Sequence, residues 1–259
     1  MKMLTLISPA KTLDYDSPLP SENHTMPLFL EKSETLIDVC RKLTPVELSQ
    51  LMRISDKLAA LNVARFAQWN KEADFSTARQ AIYAFQGDVY LGLEAHALSE
   101  SEINYAQENL CILSGLYGVL RPLDLMRPYR LEMGTKLKTP FADNLYQYWR
   151  STITQYLNSR IESDAISAMI NLASDEYFSV VDTKALTVPV IKPIFQDEKN
   201  GKYKVISFFA KKARGMMARY LIQSKCENMD DIKAFNASGY QYCDKESTDL
   251  NWVFKRKEQ

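Results

Sequence analysis

The chain has 259 residues, 46% of them hydrophobic and 25% charged, proportions that exclude a disordered or low-complexity protein and allow one sizeable core. Its 32 Lys and Arg balance its 32 Asp and Glu, which excludes bulk basicity as a source of nucleic-acid affinity; only segregated charge could supply it. Four cysteines (Cys40, Cys111, Cys226, Cys243) show no C-x-x-C spacing and the two histidines, His24 and His96, lie apart from them, so no zinc motif is recognisable.

Reduced thiols and a cytoplasmic location are expected. The N-terminal MKMLTLISPAKTLDY has too short an apolar run for a signal peptide or a membrane span, and no other stretch approaches about eighteen apolar residues. Neither a membrane partner, a cofactor nor a metal is expected.

Met3–Ser8 reads as a buried strand stopped by Pro9. Lys11 and Thr12 follow just beyond it, where open α/β sheets hold ligands, although the alternative is a solvated loop lysine. Without a glycine-rich loop this is no NTPase signature. Asp14–Pro27, with three prolines, reads as a loop. Helices are expected over Leu28–Arg41, Thr44–Met52, Ser55–Asn70 and Ser76–Phe85, the second starting on the capping box Thr44-Pro45-Val46-Glu47. Gly87 stops this region, a short helix follows over Tyr90–His96, and another over Ser99–Asn109 carries acids in its first turn. Leu110–Leu113 is a second buried strand.

It feeds Leu113–Gly134, LSGLYGVLRPLDLMRPYRLEMG, which holds three of the eight glycines. Gly115 and Gly118 flank a tight turn that could present backbone N–H groups. Arg121, Arg127 and Arg130 follow, two of them next to prolines that stiffen the backbone. Exposed N–H groups followed by fixed guanidinium forks suit an anion, phosphate above all; a connector whose arginines pair with nearby acids is the other reading.

Asp143–Ile161 is the longest amphipathic helix and Ala165–Leu172 a strand. That strand runs into Asn171-Leu172-Ala173-Ser174-Asp175-Glu176-Tyr177, where Ser174 should cap a helix with Asp175 and Glu176 in its first turn. The functional alternative is a carboxylate that orients an arginine or acts as a general base. Val188–Phe195 and Tyr203–Phe209 read as strands joined by an Asn200-Gly201 hairpin, Ala210–Lys225 and Asp230–Phe235 as helices, and Tyr240–Asp244 with Trp252–Lys255 as a terminal hairpin. The alternation argues an α/β fold, a mixed sheet surrounded by helices, as a single domain over residues 1–259.

Charge is segregated in one place. Lys199 to Tyr220 holds seven basic residues and no acid: Lys199, Lys202, Lys204, Lys211, Lys212, Arg214 and Arg219. On a helical wheel Lys211, Lys212, Arg214, Gly215, Ala218 and Arg219 share a face, and a bare Gly215 among cations would let either a phosphate backbone or another element approach closely.

Five blocks together resemble the YaaA family of bacterial peroxide-stress resistance proteins: Ser8-Pro9-Ala10-Lys11-Thr12-Leu13, Leu51-Met52-Arg53-Ile54-Ser55-Asp56-Lys57-Leu58, Leu113 to Asp124, Asn171 to Tyr177 and Phe209-Ala210-Lys211-Lys212-Ala213-Arg214-Gly215. The resemblance spans essentially the whole chain. It implies a cytoplasmic DNA-binding protein that limits oxidative damage to DNA and proteins, linked to lowering of free intracellular iron. It also implies a basic cleft and a helix-hairpin-helix element, which pattern places on Ser114–Val119.

The leading expectation is therefore a protein that binds the phosphate backbone of double-stranded DNA through Lys11, Gly115, Gly118, Arg121, Arg127, Arg130, Lys211, Lys212, Arg214 and Arg219. The alternative is an enzyme acting on a nucleotide or on a base in DNA, with Lys11, Asn171, Asp175, Glu176 and Tyr177 forming a polar pocket. Neither a catalytic triad nor a metal motif is recognisable, which favours binding over catalysis. A third reading is a regulator of iron handling that binds protein partners, whose identity the sequence does not give.

Overall fold

The apolar runs become the centre of a mixed sheet. A computed structural model describes residues 2–226 and 228–258. Its main sheet contains β1 (Lys2–Ile7), β2 (Leu110–Ser114), β3 (Gly118–Leu120), β4 (Ile166–Leu172), β5 (Val190–Lys199), β6 (Lys202–Lys204), β7 (Gln241–Tyr242) and β8 (Asn251–Arg256). The order is β7-β8-β5-β4-β1-β2-β3, with β6 paired to β5 alone. β1 is parallel to both β2 and β4, Ile7 lying opposite Ile112 on one side and Leu172 on the other. β4 continues in parallel to β5 and β5 to β8, while β3, β6 and β7 are antiparallel additions.

The sequence explains which strands are central. β2 is buried along its full length and β1 and β4 along almost all of theirs, as predominantly apolar strands covered on both faces must be. β5 instead alternates half-buried and buried residues, the period-2 pattern of a strand with one face towards the core. Trp149, on the helix Leu145–Ser163, is fully buried and reaches β3, contributing about 2–3 kcal/mol by burial alone. Cys40, Cys111, Cys226 and Cys243 are all free thiols, and only Cys243 is not buried.

Most expected elements form close to their expected bounds. Thr44 and Glu47 close a capping box, the Glu47 amide donating to the Thr44 hydroxyl at 3.3 Å and the Thr44 amide to the Glu47 carboxylate at 2.8 Å. Asn200 and Gly201 both take positive φ, 54° and 72°, in the turn between β5 and β6. The terminal hairpin forms between β7 and β8.

Two expectations are corrected. Ser76–Phe85 is not one helix: Arg79–Gln80 pairs with Leu125–Met126, Ala81–Ala84 makes a single turn, and Phe85–Gln86 pairs with Thr12–Leu13. Distant backbone partners outcompete the local helix there. Tyr203–Phe209 is a strand only as far as Lys204, because the following helix starts at Ser207 and runs to Ser224. Phe208 and Phe209 therefore belong to its first turn.

Candidate functional site

The parallel register brings the carboxyl ends of β1, β2 and β4 side by side, the edge at which open α/β sheets bind ligands. The Ser8 hydroxyl accepts the Ser174 amide at 2.9 Å and donates to the Ser174 hydroxyl at 3.3 Å. Ser174 does occupy the N-cap position, but its side chain makes no capping bond because it is spent on Ser8. Tyr90 donates to the Ser8 carbonyl at 3.0 Å, and the Tyr129 and Ser114 hydroxyls share a bond of 2.6 Å. Burial pushes the phenols of Tyr90, Tyr129 and Tyr177 well up, so all three stay protonated at neutral pH.

Beside them Glu132 gathers two predicted cations: Arg130 donates to it at 3.0 Å, and the Lys11 ammonium lies 3.6 Å away. Lys11, Arg130, Glu132 and Tyr177 thus come together, but the space they enclose is only about 10 Å³, room for about one water. Asn171 is buried and its side chain accepts the Ala173 amide at 3.0 Å, a turn-forming role. Glu176 accepts the Gly134 amide at 3.1 Å and so fastens the end of the Leu113–Gly134 segment. Asp175 faces elsewhere. The Lys192 ammonium donates to it at 2.7 Å and, with Arg214 adding a weaker pull, holds its carboxyl below the usual range. A carboxylate held ionised in this way is a poor general base. Of the residues of the expected pocket, Lys11 and Tyr177 therefore meet beside Glu132, Asp175 pairs with Lys192 instead, and Asn171 and Glu176 accept backbone amides.

The Leu113–Gly134 segment is built differently from the expected donor turn. Ser114–Val119 is the β2–β3 hairpin, so the elements flanking the turn are strands and this stretch forms no helix-hairpin-helix. Gly115 and Gly118 are buried, not presented to a ligand. A Cβ on Gly115 would lie 2.1 Å from the Leu131 carbonyl oxygen, and one on Gly118, whose φ is +70°, 2.7 Å from the Trp149 ring. The turn's polar groups bond internally: Tyr117 N–H to the Ser114 hydroxyl at 2.9 Å, and the Trp149 indole N–H to the Gly115 carbonyl at 2.9 Å. Arg121 forks onto the fully buried Asp124, at 2.8 and 3.1 Å, and also donates to the Met26 carbonyl. Arg127 donates to the Glu72 and Gln68 carbonyls and to the Asn70 side chain.

The acid-free segment behaves otherwise. Lys202, Lys204, Lys211 and Lys212 are all exposed, and none has an ion-pair partner among the described residues. Between them lie Tyr203, Val205, Phe208 and Phe209, apolar side chains 37–54% exposed. Cations from β8 already stack on two of these rings: the Lys255 ammonium sits 4.5 Å from the Tyr203 centroid and the Arg256 guanidinium 4.9 Å from that of Phe209. The expected basic helix face narrows to Lys211 and Lys212. Arg214 is half-buried, and desolvation lowers its pKa against the opposing pull of Asp175. Arg219 pairs with Glu94. Gly215 and Ala218 are buried, and Gly215 serves helix packing: a Cβ there would meet the Val89 carbonyl of the helix Asp88–Leu93 at 1.8 Å, while one on Gly92 would meet the Lys212 carbonyl at 2.1 Å.

A family model described as the peroxide stress protein YaaA matches residues 3–246. The chain belongs to this family. Two UPF0246 proteins of Aliivibrio fischeri, from strains MJ11 and ES114, are each 54% identical to it over 257 residues, covering 99% of both chains. The YaaA family match thus takes in every block from which the resemblance was read. Among the described residues no helix is long and apolar enough to cross a membrane, and no group of three or more His, Cys, Asp or Glu could hold a metal ion.

Sequence reasoning passed over Glu132 and Lys192, each of which neutralises predicted site residues. It also passed over Arg65 and Arg79, which meet Arg127 around a cavity. The aromatic residues interleaved with lysines over 202–212 were visible in the sequence, but expecting a strand there hid that they lie on a hairpin and a helix start.

Proposed function

We propose that the chain, acting as a single cytoplasmic domain, is a DNA-binding protein of the peroxide-stress response. It holds duplex DNA mainly by the phosphate backbone and protects DNA and proteins from oxidative damage. The carrying observation is the exposed set of Lys202, Lys204, Lys211 and Lys212, none of whose ammonium groups has an ion-pair partner among the described residues. In a chain of zero net charge, that surface concentrates positive potential where counterions can be exchanged for phosphates. The start of the helix Ser207–Ser224 adds the positive end of its dipole there, with no acid in its first turn. The interleaved Tyr203 and Phe208 supply apolar surface for sugars or frayed bases.

The stress role is supported by the family's description, and the tie to lower free iron by the resemblance, with no residue of this chain assigned as an iron ligand. An enzyme working through Lys11, Asn171 and Asp175 is less well supported, since Asp175 pairs with Lys192, Asn171 accepts the Ala173 amide, and neither lines the space of about 10 Å³ beside Lys11.

Titrating a labelled duplex across a series of salt concentrations tests the reading. Affinity should fall steeply with salt. Replacing Lys202, Lys204, Lys211 and Lys212 with alanine should weaken binding and reduce the log–log salt slope by about 0.9 for each phosphate left unneutralised. An unchanged slope and affinity in that variant would sink the assignment.

A further inference from the structure

Arg79 is a guanidinium that the fold buries without using. Only 4% of the residue is exposed, and its Nε and Nη2 have no hydrogen-bond partner among the described residues. An orphaned buried cation is among the costlier features a chain can carry, and native structures keep few of them. This one lines a cavity of about 450 Å³, within the range of small-molecule sites, and two further arginines share its wall. Arg65 is half-buried, makes no hydrogen bond or ion pair among the described residues, and has its pKa lowered by desolvation. Arg127 spends its guanidinium on neutral acceptors, the carbonyls of Glu72 and Gln68 and the Asn70 side chain.

Cations therefore outnumber carboxylates around the cavity. Among the described residues its lining holds three arginines against a single carboxylate, the exposed Asp16. Asp14, close enough to feel Arg79, is occupied by the amides of Asp16 and Ser17, each at 3.0 Å, and is held down to about 2 chiefly by Ser17. Three aromatic rings, Tyr15, Trp69 and Phe75, also line it, among aliphatic and small polar residues. Two of these rings are fixed in advance. The buried Tyr117 hydroxyl accepts both the Trp69 indole N–H at 2.9 Å and the Arg127 amide at 3.0 Å, and Tyr15 donates to the Met126 carbonyl at 2.6 Å. A cavity whose wall combines forked cations with flat rings, two of them held in place, suits a planar molecule that carries a phosphate.

We propose that this cavity binds a nucleoside phosphate, with Arg79 and Arg65 gripping the phosphate and Tyr15 and Phe75 flanking the base. The site is separate from the lysine surface described above and stands whether or not that surface binds DNA.

Isothermal calorimetry with AMP, GMP, CMP and UMP, and with adenosine and inorganic phosphate as controls, tests it. At least one nucleotide should bind, at least tenfold more tightly than adenosine binds. Arg79→Met should abolish that binding while leaving the melting temperature unchanged or higher, because it removes an unpaired buried cation and keeps the volume. Arg65→Ala, at a half-buried position without hydrogen bonds to break, should weaken binding at least fivefold and provides the answer if Arg79→Met misfolds. Duplex-DNA affinity should stay unchanged in both variants, which separates failure of this site from failure of the DNA surface. Absence of heat with all four nucleotides, equal affinity for nucleotide and nucleoside, or wild-type nucleotide affinity in the folded variants would each overturn the proposal.

Discussion

Two segments of this protein look equally suited to an anion when read as text, and the fold treats them in opposite ways. Leu113–Gly134 carries Arg121, Arg127 and Arg130, and every one of these guanidiniums is met from inside: by Asp124, by main-chain carbonyls, by Glu132. Lys199–Arg219 carries seven cations, and all five of its lysines lie exposed without an ion-pair partner among the described residues. The difference follows from position relative to the core. The first segment threads between buried strands, where an uncompensated charge would be too costly, so acceptors surround it. The second lies on a hairpin and a helix start at the outer rim of the sheet, where water meets the cost of charge and an acid-free sequence leaves the field intact.

Breaking an internal cation should therefore unfold the protein before it touches binding. Arg121→Ala strands the fully buried Asp124 carboxylate, which burial already pushes towards the protonated form, and should cost about 3–5 kcal/mol, read as a lower urea midpoint. If that variant kept its midpoint and lost DNA affinity instead, the contrast between the two segments would collapse.

Gly215→Ala probes the one residue that both readings claimed. Its Cβ would meet the Val89 carbonyl at 1.8 Å, so overpacking should destabilise by about 1–3 kcal/mol in thermal melts. A glycine kept open for phosphate would show the reverse, intact stability with weaker binding.

Exposed lysines should be nearly silent in stability. Lys211→Ala with Lys212→Ala should shift unfolding free energy by no more than about 0.5 kcal/mol in either direction while duplex affinity falls at low salt. A large loss of stability would mean that these side chains serve the fold after all.

A comparably small effect concerns Asp175, whose carboxyl Lys192 holds below its ordinary value of 3.8. A depressed carboxyl stabilises the folded state above its unfolded pKa and ceases to do so as pH falls through the folded one. Its contribution should therefore be present at neutral pH and fade below about pH 4. Because the side chain is 82% exposed, the pair is worth about 0–1 kcal/mol, and Asp175→Asn should slightly flatten the acid limb of a stability–pH curve.

How much of this was legible depends on whether local chemistry or a distant partner decides. The capping box at Thr44, the Asn200-Gly201 turn and the fully apolar strands were readable because each is set by residues within a few positions of one another. Ser76–Phe85 misled because its backbone pairs with Thr12–Leu13 and Leu125–Met126, partners far along the chain that no local window contains. Lys11, Arg130 and Tyr177 were nominated separately and do meet, yet nothing in the spacing announced that Glu132 would neutralise the first two. The cavity lined by Arg65, Arg79 and Arg127 was invisible for the same reason: each arginine stands alone in sequence.

Residue identity and short-range pattern were enough for the family, the α/β class and the acid-free run of lysines. Which cations are free had to wait for the fold, because pairing a charge depends on what the folded chain brings within about 4 Å of it. Folding placed a buried hairpin where a donor turn was expected, turned Gly215 from an opening into a helix contact, and left Arg79 unpaired beside an aromatic cavity. The segment richest in arginine became part of the core, and the plain lysine run became the surface that can meet a phosphate.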